Sequence, residues 1–188
     1  MGNGNGKHEF EEVQTELLRL SWRLACNDIV NRAMVEDATM KRSDSKVSEK
    51  KSSKLEPVEA RTNLLNFHHE FMAQYFNLCP DIKSRFPKNH ILVAKMIMRF
   101  LSELVKSSHN ATLVSKLSKK FAKSHQQYNL RKEHFEGFGA ALVRTIQARL
   151  GQFGTINLLN IWNKVVHALT DQLHESYLKE RRRSSRKD

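Results

Sequence analysis

Residues 121–135 read FAKSHQQYNLRKEHF, and the way this stretch joins its neighbours decides the fold. Upstream, Leu113, Leu117 and Phe121 recur every four residues, the apolar rungs of a helix that runs into His125. Downstream, Phe135, Phe138, Leu142 and Ile146 begin a second helical pattern over residues 133–150. His125 therefore stands on a helix with Phe121 one turn before it and Ser124 immediately ahead. No glycine-rich loop, paired cysteines or His-Glu spacing accompanies it, so the stretch has no hydrolytic or phosphate-binding company. Taken alone, such a histidine is a solvated or core side chain, and its meaning has to come from the rest of the chain.

The rest is helical in pattern. In residues 10–25, FEEVQTELLRLSWRLA, an apolar stripe of Val13, Leu17, Leu20 and Leu24 repeats at i, i+4, i+7 and i+11, with Leu18 and Trp22 beside it. Residues 64–78 place Leu65, Met72 and Phe76 on one face, with Leu64, Phe67, Phe71 and Tyr75 nearby. CPDIKSRFP then breaks the period, with Pro80 at a helix start and Pro87 after a short helix. Residues 90–106 predict a helix that is apolar apart from a strip of Lys95, Arg99, Ser102, Glu103 and Lys106, hence one buried on most sides. Residues 156–177 set Trp162, Val165, Val166, Leu169, Leu173 and Tyr177 on one stripe. Strand-like alternation is missing throughout. The expectation is an all-α domain of six to eight helices, too many and too unequal for a simple four-helix bundle.

Composition bounds the rest. The 188 residues suit one domain with tails, and the low apolar share of 39% is concentrated in a few polar stretches. Residues 1–8, 36–63 and 179–188 are too polar to offset the entropy of ordering and are expected to be mobile. The expected organisation is a flexible N-terminus over 1–8, a domain over 9–178 interrupted by a polar, disordered insertion at about 27–62, and a basic tail over 179–188. No run of eighteen apolar residues spans a membrane and no secretory signal is evident. Cys26 and Cys79 are too few for a disulfide framework or a zinc site, which points to an intracellular, reduced setting; the two are a redox pair or, by the commoner behaviour of cysteine, inert core residues. Of the net charge of +12, a sizeable part lies in the tail, whose last ten residues hold six Lys or Arg against two acids. The remainder is spread over helix faces without interleaved aromatics, so nucleic acid is not the expected partner. An anionic membrane surface suits RRRSSRK better.

Four local matches in order now carry a resemblance. ELLRLSWRL (16–24) looks like a first helix with its tryptophan, FMAQYFNLCPDIKSRF (71–86) like the second and third helices, LSKKFAKSHQQYNLRKEHFEGFGAALVRTI (117–146) like the proximal histidine helix and its successor, and IWNKVVHALTDQL (161–173) like the last helix. In this order and spacing the chain resembles the globins, most nearly the neuroglobin-like animal globins, over residues 9–26 and about 63–177. The resemblance implies helices packed around a haem pocket, with haem (iron protoporphyrin) as cofactor. It makes His125 the proximal iron ligand, supported by Phe121 and Ser124, which offer acceptors to its second ring nitrogen. It makes Phe86 the phenylalanine that packs on haem. For the distal face, the polar strip of residues 90–106 points Val93, Ile97, Leu101 and Leu104 inward. Val93 is the first candidate for the distal residue, with Ala94 as a small neighbour and Met96 and His90 as alternatives; Met72 faces the same pocket, and Tyr75 does so only if the register slips.

What the resemblance implies functionally is reversible binding of oxygen or another diatomic gas such as CO or NO, in a sensing or redox-signalling role. Two alternatives stay open: a haem redox enzyme acting on superoxide, nitrite or nitric oxide with an external reductant, and a haem-less helical interaction module. The other histidines, His8, His68, His69, His109, His134, His167 and His174, read as surface, loop or capping residues. The expected location is cytoplasmic, with a tether to the inner face of the plasma membrane as the sharper version. MGNGNGK resembles an N-myristoylation site at Gly2 but departs from the usual pattern at Gly6, where serine or threonine is preferred. The basic tail would be the second anchoring signal, and phosphates on Ser184 and Ser185 would cancel it.

Overall fold

Capping side chains and prolines mark where most of the helices start. The computed structural model describes residues 12–26 and 57–185, and every regular element among them is helical. Helix α1 covers Glu12–Cys26 and α2 Pro57–Leu78. A 3-10 helix over Pro80–Arg85 follows, its proline where the backbone N–H would lack a partner anyway. Helix α3 (His90–Ser107) starts on Asn89, whose side chain accepts from the Leu92 N–H at 3.1 Å. Helix α4 (Ala111–His125) repeats the device with Asn110 and Leu113. A 3-10 turn over Gln126–Tyr128 leads to α5 (Lys132–Leu150), which ends where Gly151 takes a positive φ of 51°. After a 3-10 turn at Gly151–Phe153, Thr155 caps α6 (Ile156–Ser184).

Helix α6 lies against both α4 and α5, and α2 packs on α5. Their approach is close: a Cβ on Gly139 of α5 would meet Val166 Cγ1 of α6 at 3.0 Å. The two tryptophans expected on the first and last helices meet in the core, with ring centroids 6.3 Å apart. Each indole N–H is satisfied, Trp162 donating to Ser21 Oγ at 3.0 Å and Trp22 to Ser102 Oγ at 3.3 Å. Phe67 closes the cluster edge-on to Trp22 at 5.2 Å. Truncating a fully buried ring such as Trp162 to alanine costs about 3–5 kcal/mol. Beside this cluster the buried Arg149 donates to the Ala25 carbonyl and to Glu70 Oε1 at 2.8 Å, joining α1, α2 and α5.

Several expectations change. On α1 the stripe of Val13, Leu17, Leu20 and Leu24 is the outer face, Leu20 being 50% exposed, while Thr15, Leu18, Ser21, Trp22, Ala25 and Cys26 face inward. The tryptophan and the small residues let α1 approach the core closely, and that outweighs the count of leucines. Helix α3 is less buried than its composition suggests, because Ile91, Leu92 and Met96 are exposed. On α4, Leu113 is exposed and Val114, Ser118 and Ala122 are the buried residues. Helix α2 begins at Pro57, inside the expected insertion, and α6 continues through residues 179–184 of the expected mobile tail. His68 is buried, not superficial. The α6 stripe from Trp162 to Tyr177 is buried as read. Gly2 and the expected acylation signal lie outside the described residues.

Candidate functional site

Helix α4 ends on His125, where the chain tightens into the 3-10 turn and Asn129 takes a left-handed φ of 43°. The helix itself positions the imidazole. His125 Nδ1 lies 2.9 Å from the Phe121 carbonyl one turn back and 2.9 Å from Ser124 Oγ. Ser124 donates to the same carbonyl at 2.9 Å. A carbonyl only accepts, so the ring proton belongs on Nδ1 and Nε2 keeps its lone pair. Burial holds the His125 pKa below its ordinary value, outweighing the opposing effect of the Phe121 carbonyl, so the ring is neutral at pH 7. Nε2 has no hydrogen-bond partner among the described residues.

The Phe121 ring stacks on the imidazole at 3.9 Å, with planes 17° apart. It stacks in turn on Phe100 of α3 at 5.6 Å and meets Phe135 of α5 edge-on at 6.1 Å. Stacking covers one imidazole face, and the Tyr128 ring lies tilted against the histidine at 5.7 Å. Phe100 sits beside Arg99 of the polar strip, which masks it in the sequence. Its signal was there: it lies three residues after Ile97 and seven after Val93, one face of a helix.

The other expected residues form an apolar layer on α2 and α3. Val93 is 9% exposed and Ala94 is buried, while Ile97 is half-buried. Met96, the alternative, points outward at 63% exposure. His90 is the first residue of α3. Met72 and Tyr75 of α2 are buried, and desolvation raises the Tyr75 hydroxyl pKa, keeping it protonated. Phe86 packs edge-on against Phe76 at 5.3 Å and Tyr75 at 6.3 Å. So the structure brings Phe121, Ser124 and His125 into direct contact and adds Phe100. It sets Phe86 on the α2 rings, with no ring contact to His125. An enclosed void in the nearby core, lined by Leu101, Phe138, Leu142, Trp162 and Val166, measures about 10 Å³, a packing gap and not a ligand pocket.

The 3-10 helix that leads to Phe86 is pinned by a second cluster. His134, fully inside the fold, accepts the Arg131 N–H on Nδ1 at 3.1 Å. Its Nε2–H then donates to Asp81 Oδ2 at 3.1 Å, and the Arg131 guanidinium reaches the same oxygen at 2.8 Å. The hydrogen bond from His134, aided by the Arg131 guanidinium, holds the Asp81 carboxyl below its usual range. His134 is thus a capping residue, as read, and also a tie across 53 positions of sequence.

Cys26 and Cys79 are free and buried, and burial pushes the Cys26 thiol up to about 12, which makes it unreactive. Among the described residues, no group of three or more His, Cys, Asp or Glu could hold a metal ion.

Comparison with known proteins agrees with this architecture. The Globin family model matches residues 69–173. Among 14 matching chains of solved structures is the crystal structure of a hexacoordinated heme protein from an anhydrobiotic tardigrade at pH 4. It superposes with a TM-score of 0.59 at 15% identity, over 89% of this chain and 95% of that one, a likeness of fold. Curated protein sequences give no significant match.

Proposed function

The chain belongs to the globin family, and we propose that it binds haem through His125 Nε2 and takes a diatomic gas on the opposite face, in a sensing or redox-signalling role. One observation carries the reading: the Phe121 carbonyl and Ser124 Oγ both engage Nδ1, which leaves Nε2 with a lone pair and no competing partner. That is the state an axial imidazole needs, because a donor bond from Nδ1 fixes the tautomer and raises ligand basicity. Neutrality enforced by burial acts in the same direction. The tardigrade protein of like fold is itself a heme protein.

Haem iron, when bound, supplies the gas-binding position. The chain's own residues then have separate tasks. His125 holds the iron, while Phe121 and Ser124 orient the ring. Phe86, Met72, Val93 and Ile97 wall the site with hydrocarbon and keep water out. Val93 offers no hydrogen bond to a bound oxygen, which favours sensing over storage. Phe100 and Phe121, stacked where α3 meets α4, would add aromatic surface beside the imidazole. The redox side of the role takes its electrons from an external reductant. A Gly2-acylated N-terminus, aided by the exposed Arg182 and Arg183, would keep this cytoplasmic globin on an anionic membrane surface.

The Phe100–Phe121–His125 stack also favours a second reading, a helical interaction module that holds no haem. Absorption spectra of the purified protein, supplied with hemin and then reduced and exposed to CO, separate the two. A Soret band that shifts with CO supports the globin reading, and a spectrum of unbound hemin throughout sinks it.

A further inference from the structure

The last turns of α6 reach back to the segment that follows His125. The Tyr177 hydroxyl accepts the Leu130 N–H at 2.8 Å, Arg181 donates to Asn129 Oδ1 at 2.8 Å, and Ser184 donates to Gln126 Oε1 at 2.9 Å. These three residues stand at i, i+4 and i+7, one face of the helix. The contact falls on a backbone that needs holding, since Asn129 sits at positive φ. The end of α6 is thus a clamp on Gln126–Leu130, not a free tail. The sequence around the clamp's last rung is RRRSS, with arginines one, two and three residues before Ser184. Kinases that select basic substrates read such guanidinium groups with paired carboxylates.

We propose that Ser184 is a phosphorylation site for an arginine-directed serine kinase, and that its phosphate releases α6 from the segment after His125. A nucleoside triphosphate is the donor. The Ser184 Oγ–Pγ bond forms, the bond from Pγ to the bridging oxygen breaks, the nucleoside diphosphate leaves, and the hydroxyl proton passes to the kinase's carboxylate base. Access comes from the helix end: Ser184 is the last residue of α6, and its exposed neighbour Ser185 closes the final turn with one backbone bond, N–H to the Arg181 carbonyl at 3.1 Å.

The phosphate acts in three ways. It removes the O–H that Ser184 donates to Gln126. It puts negative charge on a helix C-terminus, where the backbone carbonyls already concentrate it. It also pairs with Arg181 one turn back, drawing that guanidinium away from Asn129. With two of three rungs gone, the Leu130 N–H bond to Tyr177 is the last tie to α6, and Arg85 still donates to the Tyr128 and Asn129 carbonyls from the other side. The mechanism stands whether or not the chain carries haem.

The test uses the full chain, an arginine-directed serine kinase, ATP and Mg²⁺. Phosphate is located by mass spectrometry in the wild type, Ser184→Ala and Ser185→Ala, and amide exchange is followed at Leu130 before and after modification. The expected result is phosphate on Ser184 that survives Ser185→Ala, with Leu130 exchanging about 10-fold faster or more while Ala141–Ile146 of α5 stay unchanged. Unphosphorylated Ser184→Ala, which removes only one hydrogen bond, should quicken Leu130 by about 2- to 5-fold. Phosphate confined to Ser185, or Ser184 phosphate with unaltered Leu130 exchange, would overturn the proposal.

Discussion

On α4 the imidazole of His125 is held by directed bonds to the Phe121 carbonyl and Ser124, whereas Val93, Ala94 and the half-buried Ile97 of α3 offer only hydrocarbon. The two helices are thereby fixed by different physics. A hydrogen bond weakens steeply as its angle opens, so the α4 turn has one good geometry. Apolar contacts are non-directional, so α3 can repack at small cost if volume is conserved. On the proposed reading, the polar side would decide what the site binds, and the apolar side would tune how well.

That contrast can be broken most severely on α4. His125→Ala should quicken haem loss to an acceptor protein by more than about 100-fold, beyond the ~10–100-fold typical for losing a supporting partner. Much of the helical circular dichroism should remain, and a normal haem spectrum in this variant would end the proximal assignment. On α3, Val93→His adds a donor where the wild type has none. It should slow oxygen dissociation by about 5- to 30-fold, the equivalent of roughly one to two kcal/mol. Unchanged dissociation would place the distal residue elsewhere on α3.

The Asp81–His134 tie tests whether the polar framework extends past α4. Asp81 has a depressed folded pKa, so its contribution is fully present above the ordinary value of 3.8 and is lost as pH falls through the lower folded one. The urea midpoint of Asp81→Asn should therefore lie below that of the wild type at pH 6, with the gap closing below about pH 4. A gap that persists in acid would show that the charge is irrelevant. The smallest effect belongs to the exposed Met96. Met96→Gln should alter stability by less than about 0.5 kcal/mol. A large change in ligand kinetics there would reinstate Met96 as the distal residue.

How much of this was legible follows from the range of each signal. The α6 stripe was readable because six large residues recur on one face of one long helix. His125 was readable as a histidine on a helix with a ring one turn before it, and its hydrogen bonds stay within four residues. On α1 two apolar faces competed, and counting leucines chose the outer one. Trp22, Ser21 and Ala25 face inward because of what they meet, Trp162, Ser102 and Arg149, none of which is near in sequence. The face that carries Phe100 was legible, but the ring it meets, Phe121 of α4, was not. The ends of α2 and α6 look polar enough to be disordered, yet α6 is extended by the bonds of Arg181 and Ser184 to the segment after His125.

The sequence by itself determined the helical class, the order of the helices and the place of His125 on one of them, because these rest on spacings of three to seven residues. Tertiary structure decided which face of α1 is buried, which ring of α3 meets Phe121, and that His134 grips Asp81 while Tyr177 grips Leu130. The reason is physical. A helix repeats its faces every 3.6 residues whatever surrounds it, but burial and hydrogen bonding depend on a second surface, and its identity exists only once the chain has folded.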